Sequence, residues 1–318
     1  MRKHRCRKCG APPVINMPQH RLALCGEHFP QWVVEQTERF IRKYRMFTRR
    51  ERLLVAVSGG KDSLSLWDIL WQLGYIVDGL YINLEINDGK RYSAESQRKA
   101  ERFAEQRTLR LIVVDVPGKY GESISQMAQR CRRGDGKICA VCGLVKRHIM
   151  DQTARDNGYD VLATGHNLDD EAATLLANTL AWEIDSMLRQ KPVLEARHPA
   201  QRRKVKPLFR FYEREMAAYA LLRKIDYIND ECPYAEGTRS IFYKRILNQL
   251  EADQPGAKLK FYLSFLKAWE RGGLLQKQAY DDEVRLVTGD NEQLKTCPSC
   301  GQPTTSIGLC AFCRLVEG

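Results

Sequence analysis

No apolar run in this 318-residue sequence reaches the length that a membrane span requires. The basic opening Met1-Arg2-Lys3-His4-Arg5 leads into cysteines, so neither a signal peptide nor a transmembrane segment is expected. The expectation is a cytoplasmic chain without a membrane partner. Internal repeats are also lacking, apart from one cysteine module near each end. Acid is in short supply: 39 Asp and Glu stand against 51 Lys and Arg, a formal charge of +12 that implies a polyanionic partner. Hydrophobic content of 43% and charged content of 28% are ordinary for a globular protein, and the length suffices to bury a core in one or two domains.

The positive charge is gathered in runs. Arg39, Arg42, Lys43, Arg45, Arg49, Arg50 and Arg52 precede the first strand-like segment. Arg197, Arg202, Arg203, Lys204 and Lys206 form a second cluster, and Arg130, Arg132, Arg133 and Lys137 a third. Aromatic residues are interleaved with the first two, at Phe40, Tyr44 and Phe47 and at Phe209, Phe211 and Tyr212. One such run is ordinarily a solvated face; three around a nucleotide motif point to nucleic acid.

That motif is Ser58-Gly59-Gly60-Lys61-Asp62-Ser63, which closes the apolar run Leu53–Val57 and opens a helical pattern at Leu64. A strand that turns through glycine into a helix sets backbone N–H groups and a positive dipole end around an anion. No Walker A pattern can be laid over it. Further strand-like runs at Val77–Leu84, Leu109–Val116 and Val161–Thr164 alternate with helical patterns at Leu64–Leu73, Ser93–Gln106, Leu144–Asn157 and Asp170–Ala181. This alternation predicts an α/β fold with a doubly wound parallel sheet, whose ligands sit beyond the carboxyl ends of the strands. Ser58–Ser63, Ile82–Asn83 and Gly165–Asn167 fall at those ends. Asp169 and Asp170 open the helix after the fourth strand, where capping and a Mg²⁺ or proton-transfer role are both open. Beyond Pro207 the pattern is helical at Tyr212–Arg223, Ser240–Leu250 and Leu259–Gly272, before a polar linker near Thr288–Lys295.

Eleven cysteines in such a chain read as metal ligands or catalytic thiols rather than disulfides. Cys6-x-x-Cys9 is followed after fifteen residues by Cys25-x-x-His28, and Cys297-x-x-Cys300 after nine by Cys310-x-x-Cys313. Each quartet suits a closed, structural, tetrahedral Zn²⁺ site. Cys139 and Cys142 have no second knuckle nearby, and Cys232-Pro233 lies far downstream. Three thiolates cannot close a zinc site but can hold a [4Fe–4S] cluster with one iron open; a redox pair and buried inert thiols stay equally open on spacing. Cys131 is left over. The predicted organisation is a zinc module at 1–30, a basic helix and linker at 31–52, a nucleotide-binding domain at 53–225, a helical part at 226–290 carrying Cys232, and a second zinc module at 291–318.

Ser-Gly-Gly-x-Asp-Ser resembles the PP-loop of the ATP pyrophosphatases. Taken with both cysteine quartets, Cys139-x-x-Cys142, Gly165-His166-Asn167-Leu168-Asp169-Asp170-Glu171, Lys206-Pro207-Leu208 and Cys232-Pro233-Tyr234, the chain resembles the tRNA 2-thiolation enzymes of the TtuA / Ncs6 / CTU1 type, relatives of TtcA. The terminal zinc modules, which TtcA lacks, favour the uridine-modifying branch. The resemblance implies Cys139, Cys142 and Cys232 as [4Fe–4S] ligands and Lys146 and Asp170 as catalytic residues. It implies ATP contacts at Val57, Ser58, Gly59, Ser63, Ile82 and Gly165, to which Gly60, Lys61, Asp62 and Lys146 are added as expected ATP-binding residues.

The implied reaction is attack of a uridine C2 oxygen on the α-phosphorus of Mg·ATP, followed by sulfur transfer in which the cluster carries sulfur and relays no electrons. Lys146 would offset charge on the transferred group. The expected partners are tRNA, ATP, a second copy of the chain, and a sulfur donor that is sulfide, a persulfide or a ubiquitin-like thiocarboxylate. Rival readings are a TtcA-like cytidine thiolase, a PP-loop ligase that amidates a small acid, and a non-catalytic zinc adaptor for RNA. The T-loop and wobble uridines are both open as targets.

Overall fold

The computed structural model describes residues 5–86, 91–131, 138–235, 237–270 and 294–317. Arg132, Arg133 and Lys137 of the third basic run, and most of the expected linker near Thr288–Lys295, lie outside the described residues.

A short hairpin, β1 (Ile15–Met17) and β2 (Leu22–Leu24), leads into α1 (His28–Lys43). The core then alternates β3 (Leu53–Val57), α2 (Lys61–Gln72), β4 (Val77–Asn83), α3 (Tyr92–Arg107) and β5 (Leu111–Asp115). Two short helices, α4 (Val116–Tyr120) and α5 (Ile124–Arg130), precede α6 (Ile138–Asp156), β6 (Val161–Thr164) and α7 (Leu168–Leu180). After α8 (Ile184–Leu188), β7 (Val193–Leu194) and β8 (Arg203–Val205), the chain is helical through α9 (Glu213–Leu222), α10 (Arg239–Asp253) and α11 (Ala257–Glu270). A second small hairpin, β9 (Lys295–Thr296) and β10 (Pro303–Thr304), is followed by α12 (Ala311–Glu317).

The main sheet has the order β5-β4-β3-β6-β8-β7, parallel throughout except for the antiparallel edge strand β7. Successive side chains of a strand face opposite ways, and here both faces are covered. Leu53, Val55 and Val57 join the core with Trp67, Phe103, Phe209 and Tyr262, while Leu54 joins Leu80, Leu162, Ala154 and Tyr159 against α6. The alternating pattern therefore gave the doubly wound sheet, and β4 and β6 flank β3 at the point where strand order reverses. A ligand crevice opens beyond that switch point.

Two boundaries and one strand pair differ from the sequence reading. The basic helix ends at Lys43, because the chain turns at Arg45 with a φ of 49°, so Arg49 to Arg52 form a loop into β3. Helix α6 starts at Ile138, so Cys139 and Cys142 sit on its first turns. The β7–β8 pair was missed, since Arg203-Lys204-Val205 carries no alternating apolar signal. No helix among the described residues is long and apolar enough to cross a membrane.

Candidate active site

The loop between β3 and α2 is built for an anion. Gly60 is the N-cap of α2 and makes no side-chain cap bond, which leaves first-turn N–H groups facing outward. Ser58 N donates to Ser63 Oγ at 3.1 Å, the two hydroxyls lie 3.2 Å apart, and Ser63 Oγ donates to Gly60 O at 3.1 Å. Gly59 has a φ of 74°, and a Cβ there would lie 2.3 Å from Ser96 O. Only glycine fits. A Cβ on Gly165 would come within 2.9 Å of the Asp62 and Ser63 backbone, so the β3 and β6 turns touch directly.

Beyond these turns lies a cavity of about 310 Å³. Val57, Ser58, Asp62, Ser63, Ile82, Lys146, Gly165 and Asp170 all line it, from four separate stretches of chain. Leu80, Ile86 and Met150 add an apolar wall suited to a purine. Lys61 is placed elsewhere: its Nζ lies 2.8 Å from Glu213 Oε1 and 3.1 Å from Asp62 Oδ2, and it lines a neighbouring cleft with Asp169 and Glu213. Burial raises the Asp62 carboxyl pKa, opposed by Lys61, and the charge of Asp170 adds to the rise.

The acidic segment after β6 separates into distinct tasks. Asn167 caps α7, with Oδ1 accepting from Asp169 N and Asp170 N, and its Nδ2 donates to Asp62 Oδ1 at 3.2 Å. Asp169 is buried, paired with Lys258, and accepts from Glu213 N at 2.7 Å. Glu171 is likewise buried, held by Lys206 at 2.7 Å. Asp170 alone of the three carboxylates reaches the cavity. Its Oδ2 accepts from Asn167 N at 3.1 Å and its Oδ1 lies 2.6 Å from Lys244 Nζ. Lys244 and Glu213 are site-building residues that the sequence did not single out. Both stand far from the motif on helical segments with no distinguishing pattern.

On α6 the spacing of Cys139, Cys142 and Lys146 places all three on one side of the helix. The loop carrying Cys232 folds against that side: Cys139 Sγ donates to Tyr234 O at 3.3 Å, and Cys142, Cys232 and Tyr234 pack into one cluster. Burial raises the Cys142 pKa; the Lys146 ammonium opposes it, while Cys232 and Cys139 add to the rise. The same loop returns to the nucleotide turn, where Ile228 N donates to Gly59 O at 3.0 Å.

Both terminal quartets are formed. The ligand atoms of Cys6, Cys9, Cys25 and His28 lie within 4.8 Å of one another, as do those of Cys297, Cys300, Cys310 and Cys313. Against the penalty of burial, backbone N–H donors hold the Cys297 thiol down to about 6, while burial pushes Cys300 up to about 11 and raises Cys313 as well. Among the described residues only these two groups close so tightly. Cys139, Cys142 and Cys232 do not draw together so closely. The second quartet docks on the back of α6, where the Phe312 and His148 rings stack with centroids 3.6 Å apart and Arg155 Nη1 donates to Cys300 O at 3.2 Å.

The second basic run is largely consumed inside the fold. Lys204 pairs with Asp151 at 2.7 Å, Arg203 with Glu51 at 2.8 Å, and Lys206 with Glu171. In the first run, Arg49 pairs with Glu38 at 2.9 Å and lies over Tyr75, and Arg52 lies over Tyr159. These are clamps of the core. Arg39, Lys43, Arg45 and Arg50 remain exposed on the surface.

Residues 32–250 match the family model of the PP-loop domain, and residues 5–30 match that of the 2-thiouridine synthetase TtuA N-terminal LIM domain. The chain is 45% identical to a tRNA-5-methyluridine(54) 2-sulfurtransferase of Thermus thermophilus, over 98% of this chain and 90% of the relative. A Chlamydomonas reinhardtii protein named cytoplasmic tRNA 2-thiolation protein 1 is 30% identical over 98% of this chain and 84% of its own length. Among solved structures, the U34-tRNA thiolase NcsA from Methanococcus maripaludis, with its [4Fe-4S] cluster, superposes with a TM-score of 0.73 at 22% identity, covering 85% of this chain and 89% of that one.

Proposed function

This chain belongs to the PP-loop tRNA 2-thiolation enzymes of the TtuA / Ncs6 type, and we propose that it replaces the C2 oxygen of the T-loop uridine at tRNA position 54 with sulfur, in an ATP-dependent reaction. The single observation that carries the mechanism is the convergence of the Ser58–Ser63 turn, Lys146 and Asp170 on one cavity. Position 54 is favoured because the relative at 45% identity bears that specificity in its name, whereas the relative named for tRNA 2-thiolation without a stated position is 30% identical.

The C2 carbonyl of uridine is a poor electrophile with a poor leaving group. Its oxygen attacks the α-phosphorus of Mg·ATP, forming a C2–O–P bond as the bond to pyrophosphate breaks. The turn N–H groups and the Ser58 and Ser63 hydroxyls hold the β- and γ-phosphates, and Lys146 offsets charge on the transferred phosphoryl group. A sulfur nucleophile then bonds to C2, and AMP leaves with the original oxygen. Asp170, held by Lys244 and Asn167, would take the Mg²⁺ of Mg·ATP together with Asp62. Each of its oxygens accepts one contact, and the remaining lone pairs are free to take a cation.

Cys139, Cys142 and Cys232 suit a [4Fe–4S] cluster with one iron free of protein sulfur. Bound there, the cluster supplies a Lewis-acidic iron for sulfur. Lys146, next to Cys142, lies between the sulfur site and the nucleotide. The two terminal quartets hold Zn²⁺ as structural ions. The first basic run grips the tRNA backbone through its unpaired members.

The test is nucleoside mass spectrometry after an anaerobic reaction of cluster-loaded protein with unmodified tRNA, Mg·ATP and sulfide. A 2-thio-ribothymidine mapped to the T loop, absent without ATP, is the expected product. A 2-thiouridine at the wobble position would move the protein to the other branch, and 2-thiocytidine would overturn the uridine reading. Replacing sulfide by a persulfide or a ubiquitin-like thiocarboxylate ranks the donors, and light scattering tests the expected homodimer.

A further inference from the structure

Beside α1 lies a second cleft, of about 460 Å³, remote in sequence from the PP-loop. Arg39, Arg42, Lys43 and Arg210 line it, and no lining residue carries a carboxylate. This is unlike the cleft around Lys61, where Asp169, Glu213 and Glu251 balance the cations. Of the four, only Arg42 has an acidic partner among the described residues, Glu38 at 2.8 Å.

Arg210 is the most telling of them. Its guanidinium is partly buried, over the Phe40 ring at 4.7 Å, with no carboxylate of the described residues paired to it. Burial lowers its pKa, opposed only by Tyr44. A cation held partly out of water without an internal anion is suited to an anion from outside. Arg39, Arg42 and Lys43 follow one another at helical spacing along α1, which matches a row of charges rather than a single small ion. Trp32, Phe40 and Phe211 floor the cleft with aromatic surface. The cleft is also tied to the active site: Leu168 N donates to Phe211 O at 2.8 Å, joining the residue after Arg210 to the start of α7, whose Asp170 lines the catalytic cavity.

We propose that this cleft is a phosphodiester-binding subsite that seats the backbone of the substrate tRNA while the reacting uridine enters the cavity. It rests on the tRNA reading above and adds to it a specific place on the surface. Arg210 is then the anchoring contact, and Arg39 and Lys43 follow the strand.

The experiment measures filter binding of unmodified tRNA to the full, metal-loaded chain between 50 and 200 mM salt. Each phosphate contact contributes about 0.7–0.9 to the slope of log K against log salt. Arg39→Gln with Arg210→Gln is expected to make that slope shallower by about 1.5 and weaken binding about tenfold at the low-salt end. Arg210→Lys, which keeps the charge, should recover most of the affinity and guards against a folding artefact. Arg98→Gln with Arg102→Gln on α3 removes the same charge from cations already paired, with Glu95 and Asp226, and should leave the slope where it was.

An unchanged slope in the Arg39/Arg210 variant overturns the subsite, as does an equal loss in the α3 control. Displacement of tRNA by millimolar inorganic phosphate at constant ionic strength would assign the cleft to a free anion instead. Binding is read without turnover, so the two readings fail separately. Wild-type protein that binds tRNA with the expected slope difference but makes no thionucleoside overturns the reaction and keeps the subsite. Thiolation that persists with unaltered tRNA affinity in the variant does the reverse.

Discussion

Lys244 Nζ lies 2.6 Å from Asp170 Oδ1 and 3.2 Å from Glu213 Oε2. With the Lys61 contacts to Glu213 and Asp62, this makes an alternating row of five charges from α10 through α9 to the nucleotide turn. The two carboxylates outweigh the burial penalty on Lys244 and hold its ammonium well above the ordinary lysine range. Removing the cation strips Asp170 and Glu213 of the ammonium they share.

Lys244→Met is therefore expected to slow single-turnover thiolation about 10–100-fold, an effect of a few kcal/mol on the barrier. The stability cost should be about 1–2 kcal/mol, below that of a fully buried pair because both groups keep some solvent contact. Affinity for tRNA should not change. Lys244→Arg should restore part of the rate, and a wild-type rate in Lys244→Met would remove the pair from the reaction.

Glu215 gives a pH signature. Its fully buried carboxyl accepts from Gln19 Nε2 at 2.7 Å and from Tyr212 N at 3.0 Å, and burial pushes its pKa up to about 7. The folded state thus holds the proton more tightly than the unfolded chain. The stability this contributes is fully present below the unfolded value near 4.5 and is lost as pH rises through about 7. Chemical unfolding at constant metal loading should show wild type losing up to about 3 kcal/mol, relative to Glu215→Gln, between pH 4.5 and 8. Parallel pH curves for the two proteins would refute it.

Gly59→Ala should strike nucleotide binding first. The new methyl group meets Ser96 O at 2.3 Å in a backbone conformation that alanine disfavours. The expected loss is about 1–3 kcal/mol of stability, with ATP affinity down at least tenfold while tRNA still binds. Calorimetry with a non-hydrolysable ATP analogue checks this; unaltered affinity would show that the turn tolerates the shift.

For the sulfur site, Cys142→Ala should abolish thiolation and the visible absorbance of the anaerobically loaded protein, and spare tRNA binding. A retained brown chromophore would count against Cys142 as a ligand. Air-purified, iron-free protein that thiolates at full rate would count against the cluster itself.

Much of this was legible in the sequence, for identifiable reasons. The turn Ser58–Ser63 and the two quartets are local patterns in which backbone geometry and ligand bite are set over a few residues. Strands β3 and β6 announced themselves because burial on both faces leaves unbroken apolar runs. What the chain order hides is pairing at a distance. Lys204 and Lys206 look like surface charge until Asp151 and Glu171 are seen beside them, and the task of Asp170 is distinguishable from that of Asp169 only once Lys258 takes the latter. Lys61 is the sharpest case: it belongs to the nucleotide motif yet turns to Glu213.

The docking of the second quartet on α6 has a consequence for the order of assembly. Helix α6 is synthesised long before Cys297–Cys313, so during translation the face that His148 and Phe312 later share is bare. Cys139 and Cys142 on its opposite side are then carried by a helix that lacks its support. Deleting residues 294–317 would bare that face again, and the helix that carries Cys139 and Cys142 would lose the Phe312 stack and the Arg155 contact that back it.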